Sequence, residues 1–143
     1  MDRKTLTVYD ESLKRCNTDP DFLDRFYDRF MDASPDVRAR FANTDFVRQK
    51  RALRASLHMM ALAAENDAGP ARYLYDLALR HSRAQLDIGA GLYDHWLDSL
   101  IATVRECDPR FDAEVEAAWE KVMTAGIAYM VSHYNDPTVP RRP

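Results

Sequence analysis

At 143 residues and 46% hydrophobic, the chain is long enough for one domain with one continuous core. Its four glycines, set among abundant Ala, Leu, Arg, Glu and Asp, favour helices over a turn-rich sheet. The formal charge of −3 comes from intermixed acids and bases, which excludes the basic stripe of a nucleic-acid binder.

The opening Met1 to Ser12 carries charges where an export signal needs an apolar stretch. The longest apolar run, Met59 to Ala64, is too short to cross a bilayer. Cys16 and Cys107 make neither a disulfide framework nor a metal cluster and read as free thiols. The expectation is a cytoplasmic protein, residues 1–143 forming one domain, with no nucleic-acid and no membrane partner.

Turn signals then divide the chain into helical segments. The first runs from about Thr5 to Arg15. Asn17-Thr18-Asp19-Pro20 supplies cap residues and a first-turn proline for a second, about Asp21 to Met31. Ser34-Pro35 opens a short third helix ending near Phe41, and a long fourth follows from about Asp45 to Ala64. Asp67-Ala68-Gly69-Pro70 breaks that helix and starts a fifth, about Ala71 to Ser82. The loop Asp87 to Gly91 precedes a sixth, about Leu92 to Cys107, closed by Asp108-Pro109. The last spans about Ala113 to His133, and residues 136–143 read as a frayed tail.

Helical spacing supports each segment. Leu23, Phe26, Tyr27 and Phe30 share one face; Gln49, Leu53, Leu57 and Met60 another; Leu74, Leu77, Ala78 and His81 a third. Leu92, Trp96, Leu100 and Val104 form a fourth, and Trp119, Met123, Ile127 and Met130 a fifth. No alternating strand pattern and no internal repeat is present. The fold class is all-α, about seven helices of unequal length, which is not the profile of a simple four-helix bundle.

Few residues stand out chemically. His81 ends an apolar helical face just before a loop, a position from which imidazole can ligate iron; a core histidine with a backbone partner has the same pattern. Tyr27 and Gln49 each interrupt an apolar face with a hydrogen-bonding group, as would a core tyrosine and a surface glutamine. Phe41 and Phe46 flank a polar loop, where aromatics either wedge a flat ligand or simply pack. His58, His95 and His133 have no partner at metal-ligand spacing. No zinc-protease, phosphate-loop or nucleophile motif occurs.

Taken together, these residues resemble the globin family, specifically the single-domain bacterial globins and the globin portion of flavohaemoglobins. Phe26-Tyr27-Asp28-Arg29-Phe30-Met31 is similar to that group's second helix with its distal tyrosine. Phe41 stands where the haem-wedging phenylalanine belongs. Gln49-Lys50-Arg51-Ala52-Leu53 is similar to the start of the distal helix, with Gln49 as distal glutamine and Leu53 over the iron. Leu77-Ala78-Leu79-Arg80-His81 is similar to the end of the proximal helix. Trp119 and the apolar face after it resemble the last helix, so the similarity runs from about Thr5 to Tyr134.

The resemblance implies a globin fold sandwiching haem b, with His81 as the iron ligand. It implies cofactor contacts from Phe41, Leu53, Leu57, Leu77, Ile88 and Leu92, within walls that also include Phe30, Leu86 and Trp96. Tyr27, Gln49 and Leu53 would face a diatomic gas (O2, CO or NO). The flavohaemoglobin brace on the proximal histidine, a glutamate and a tyrosine, is represented only by Tyr93, and near the glutamate's place stand His133 and Tyr134. Arg83, Lys50 and Arg48 are candidate partners for the haem carboxylates and equally candidate solvated charges. The implied function is reversible gas binding and oxygen transport. The alternatives are nitric oxide dioxygenation, which would need a separate electron-donating reductase because no flavin or nicotinamide domain follows, and gas sensing through a partner protein. Oligomeric state stays open.

Overall fold

The structure is a computed structural model, and it describes residues 1–64 and 68–135. Seven helices appear in the described residues: α1 (Arg3–Asn17), α2 (Phe22–Ala33), α3 (Pro35–Arg40), α4 (Phe46–Ala64), α5 (Ala68–Arg80), α6 (Ala90–Cys107) and α7 (Ala113–Ser132). The expected elements are all present, with ends shifted by a few residues. Gly69 and Pro70 fall in the first turn of α5, where a proline costs no hydrogen bond. The expected break at Asp67 and the tail at 136–143 lie outside the described residues.

Short polar side chains fix several helix starts by accepting backbone N–H groups that the helix itself cannot satisfy. Asp2 Oδ1 accepts from Thr5 N at 2.7 Å, Ser34 Oγ from Val37 N at 3.2 Å, and Asp112 Oδ1 from Val115 N at 2.8 Å. At the start of α4, Asp45 Oδ1 accepts from Val47 N at 3.1 Å and Arg48 N at 3.3 Å. Asp19 caps more weakly than its sequence suggests: it accepts from Asp21 N at 2.9 Å, and α2 begins one residue later.

The helices pack in pairs: α2 against α6 and α3, α4 against α5 and α7, and α1 against α7. Ser56, eight residues before the end of α4, meets Tyr73, five residues after the start of α5, so the two helices run antiparallel. Most fully buried side chains come from α1, α2, α6 and α7, including Tyr9, Phe22, Leu23, Phe26, Leu100, Trp119 and Met123. Helix α5, by contrast, buries completely only Ala78 among its described residues. The tightly packed half of the molecule therefore lies away from the α4–α5 pair.

A polar chain pins that packed half together. Trp119 Nε1 donates to Ser12 Oγ at 2.8 Å, and Ser12 Oγ donates to Asp108 Oδ2 at 2.6 Å. Arg15 grips the same carboxylate through Nε at 2.6 Å and Nη2 at 2.9 Å, and Arg110 N adds a further donor at 2.9 Å. The two-pronged geometry suits a guanidinium. Burial pushes the Asp108 carboxyl up, but the Arg15, Ser12 and Arg110 donors outweigh it and hold the group below its ordinary value. Tyr9 adds a second cross-link, its hydroxyl donating to Leu57 O at 2.5 Å beside the Trp119 ring. Cys16 and Cys107 are free and buried, and burial pushes their thiols up to about 12 and about 11.

A carboxylate with a depressed folded pKa stabilises the fold above its unfolded pKa, about 3.9, and that contribution disappears as pH falls through the lower folded value. Asp108→Ala should therefore lower unfolding free energy at pH 7 by about 3 kcal/mol, the cost of breaking a buried pair. Urea melts should show the gap between wild type and variant narrowing as pH falls from about 4 toward 2.

Candidate haem-type pocket between α4 and α5

A cavity of about 550 Å³ lies between α4 and α5, with walls from α2, α3, α6 and α7. That is the size range of small-molecule and cofactor sites. Its lining is mostly apolar: Phe30, Phe41, Leu53, Met60, Leu77, Leu86, Ile88, Leu92, Trp96, Ile127 and Met130 all face it. An edge-on aromatic cluster forms one end. The Tyr27 ring lies 5.6 Å from Phe41 and 5.4 Å from Phe46, and Phe30 lies 5.8 Å from Phe41.

His81 follows directly on α5 and continues its hydrogen bonding, with its N–H directed to Leu77 O at 3.1 Å and Ala78 O at 3.2 Å. The imidazole also turns back on its own helix: Nδ1 meets Leu77 O at 2.8 Å. A carbonyl can only accept, so Nδ1 carries the proton and donates, and Nε2 is the nitrogen available to the cavity that the ring lines. Burial lowers the imidazole pKa, the Leu77 bond partly raises it, and Arg80 lowers it further. The ring is therefore neutral at pH 7, with the Nε2 lone pair free to bind a metal.

Tyr27 and Gln49 line the same cavity. The Tyr27 hydroxyl points to the main-chain oxygen of Gln49 at 3.5 Å, the outer limit of a hydrogen bond, so it is only loosely committed. Burial pushes the phenol up to about 12, slightly offset by the Gln49 contact. It is thus protonated across the physiological range and available as a donor. Leu53 stands one turn along α4 from Gln49 and is buried against the same space.

Of the residues singled out from sequence, the structure brings Tyr27, Phe41, Gln49, Leu53, Leu77, His81, Ile88 and Leu92 around one cavity. Leu57 does not join them. It is fully buried in the core, with its carbonyl taken by Tyr9, and it does not line the cavity. Eight residues beyond Gln49 and four beyond Leu53, it lies about 80° and about 40° further round α4, and that rotation carries it inward toward Tyr9 of α1. Lys50 is paired with Asp24 at 2.7 Å, and Arg48 and Arg83 do not line the cavity. The cations that do are Arg40 and Arg80, which the sequence reading passed over. The missed signal was position: Arg80 precedes His81 directly, and Arg40 precedes Phe41.

On the proximal side, the partner of the His81 ring proton is a main-chain oxygen. Tyr93 is buried and lines the cavity, while Tyr134 donates its hydroxyl to Asp87, and the His133 ring packs near Tyr75 and Tyr129. The loop after His81 is tied down on three sides. Ile88 N donates to His81 O at 3.0 Å, Arg83 N donates to Tyr134 O at 2.8 Å, and Arg40 donates to Leu86 O at 2.9 Å and Asp87 O at 3.1 Å. Asp87 sits at φ 56°, a left-handed conformation that Asp tolerates better than most residues.

The molecule is thus an all-helical fold enclosing an apolar slot, lined by His81 after α5 and by Tyr27 and Gln49 of α2 and α4. The globin family profile matches residues 24–130, and the chain belongs to the globin family. It is similar to a solved Pseudomonas aeruginosa PAO1 protein described as structurally highly homologous to a human haemoglobin. Identity is 41% over 91% of this chain and 98% of that one, with a TM-score of 0.87. A comparison with curated proteins finds no match. Among the described residues, no helix is long and apolar enough to cross a membrane, and no cluster of three or more His, Cys, Asp or Glu is placed to hold a metal ion.

The Arg40 tether generates a direct test. Arg40→Ala should accelerate amide hydrogen exchange at Asp87 and Ile88 severalfold, while exchange in α1 and α7 is unchanged. Because the Arg40 side chain is 34% exposed, global stability should fall by no more than about 1 kcal/mol.

Proposed function

We propose that this globin holds haem b through His81 and reversibly binds a diatomic gas under Tyr27 and Gln49. The observation that carries the reading is the His81 ring: Nδ1 is pinned to its own helix, and Nε2 is left for an apolar cavity of about 550 Å³. A single neutral imidazole on an apolar wall matches the ligand chemistry of haem iron and lacks the extra ligands a bare divalent ion needs. Bound there, haem would supply iron with one coordination position open to a gas.

The chain's own residues do the rest. Leu53, Leu77, Ile88, Leu92 and Trp96 exclude water from the slot and present apolar faces to a flat ring. Phe41, packed edge-on with Tyr27 and Phe30 and tilted against Phe46, would wedge such a ring. Arg40 and Arg80 are the cations available to its carboxylates, Arg40 already fixed in place by Leu86 O and Asp87 O. Tyr27 supplies the donor to a ligand that gains negative charge on binding, and its loose contact with Gln49 O lets it turn toward that ligand at little cost. The Gln49 carboxamide can donate beside it.

A hydrogen bond to a charged acceptor is worth about 1.5–3 kcal/mol, roughly 10–100-fold in ligand release. Tyr27→Phe should therefore speed O2 dissociation at least tenfold and leave CO dissociation nearly unchanged, since bound CO is less polar. The core reading is checked by absorption spectra of purified protein in ferric, ferrous and CO-bound states. A haem Soret band is expected in the wild type and its loss or marked shift in His81→Ala. A colourless protein that takes up no added haemin, or a His81→Ala variant with an unaltered spectrum, would overturn it.

A further inference from the structure

The outward face of α4 differs from the rest of the surface. Charges of both signs mix along the chain as a whole, yet α4 carries Arg48, Lys50, Arg51 and Arg54 and no acid. Lys50 is neutralised by Asp24 at 2.7 Å. The side chains of Arg48, Arg51 and Arg54 make no hydrogen bond and no ion pair among the described residues, and all three residues are exposed. By contrast Arg15, Arg25, Arg29, Arg38, Arg72 and Arg105 are each paired with an acid.

The three unpaired arginines share one face. A helix turns about 100° per residue, which puts Arg54, Val47, Arg51, Ala55 and Arg48 in that order round an arc of about 120°. Every one of them is exposed, Val47 by 65%. Ala52, also exposed, continues the arc to the cavity, which it lines together with Gln49. The charges also run against the electrostatics of their own helix. A helix start carries partial positive charge and favours acids, but the first turn of α4 has none and contains Arg48. The nearest carboxylate, Asp45, is already engaged by Val47 N and Arg48 N. Carboxylates from outside would relieve this excess.

We propose that this face of α4 docks an acidic protein, one presenting carboxylates over about 9 Å, the axial rise from Arg48 to Arg54. A guanidinium pairs with a carboxylate through two parallel hydrogen bonds, and the small side chains of Ala52 and Ala55 leave room for the approach. Other occupants fit less well. A second copy meeting this face with its own would set arginine against arginine. A lipid surface needs large apolar side chains to insert, and the arc offers only Val47. Duplex DNA would meet only three free cations on a chain of net charge −3. Because Gln49 and Ala52 line the cavity, a protein seated here covers its α4 wall. The docking face is complete whatever the cavity holds.

Amide chemical-shift mapping of the purified protein with a short polyglutamate peptide tests the assignment. At low salt the shifts should cluster at Arg48, Arg51, Arg54 and Ala55, and they should fade near about 0.5 M salt, where screening is strong. Arg51→Glu should weaken binding about tenfold, whereas Arg3→Glu, an equal change of charge at an exposed residue of α1, should alter it less than about twofold. Absent shifts, shifts spread evenly over the basic residues, or equal losses in the two variants would overturn the docking face. Tighter binding of phosphatidylserine vesicles or duplex DNA to the same residues, or self-association abolished by Arg51→Glu, would overturn the acidic protein as its occupant.

Discussion

The direction in which one imidazole faces governs what the pocket can do, and that direction is set by a main-chain carbonyl. Leu77 O accepts the Nδ1 proton of His81 at 2.8 Å, which fixes both tautomer and ring orientation without help from another helix. Anything that holds α5 in place therefore holds the ring. Packing of α5 against α4 and α7 does so from the side, and the Ile88 N to His81 O bond does so from the loop. A backbone acceptor carries no charge. It orients the imidazole but adds less electron density to it than a carboxylate would.

The pocket's polarity is concentrated at a few points on apolar walls. Burial keeps Tyr27 and Tyr93 protonated, each pushed up to about 12, so neither phenol contributes an anion to the cavity that both line. The rings of Phe26, Phe41 and Phe46 pack edge-on with Tyr27 and hold its position, while its long contact to Gln49 O leaves the hydroxyl free to choose its acceptor. Cations stand at Arg40 and Arg80. Such a distribution is that of an apolar small-molecule site with a few fixed polar points.

Stability and function are distributed to different halves of the molecule. The Arg15–Asp108–Ser12–Trp119 chain and the Tyr9 to Leu57 bond tie α1 to α4, α7 and the end of α6 in the fully buried core. Helix α5, with Ala78 as its only fully buried described residue, and the loop that follows are held by fewer and more exposed contacts. A pocket built against a rigid half and closed by a looser one can open for a ligand without unfolding the core.

Hydrophobic periodicity alone determined the class of fold: seven helical stretches, the short one after Ser34-Pro35 and the apolar faces of Phe26, Leu53, Leu77 and Trp119 all follow from local spacing and capping. Local spacing also put His81, Tyr27, Phe41, Gln49 and Leu53 on faces that pack inward, and the order of those residues pointed to the globin family. What tertiary structure decided was everything that depends on which helix faces which. Leu57 shares a helical face with Gln49 in the sequence yet turns to the core under Tyr9. The cations that line the cavity are Arg40 and Arg80, and Arg40 is fixed there by its bonds to Leu86 O and Asp87 O. Ser56 and Tyr73, ordinary hydroxyls in the sequence, meet only because α4 and α5 run antiparallel. Helical period is a property of neighbouring residues and survives in the sequence, whereas the rotation of one helix about its axis against another is fixed by packing across the whole core.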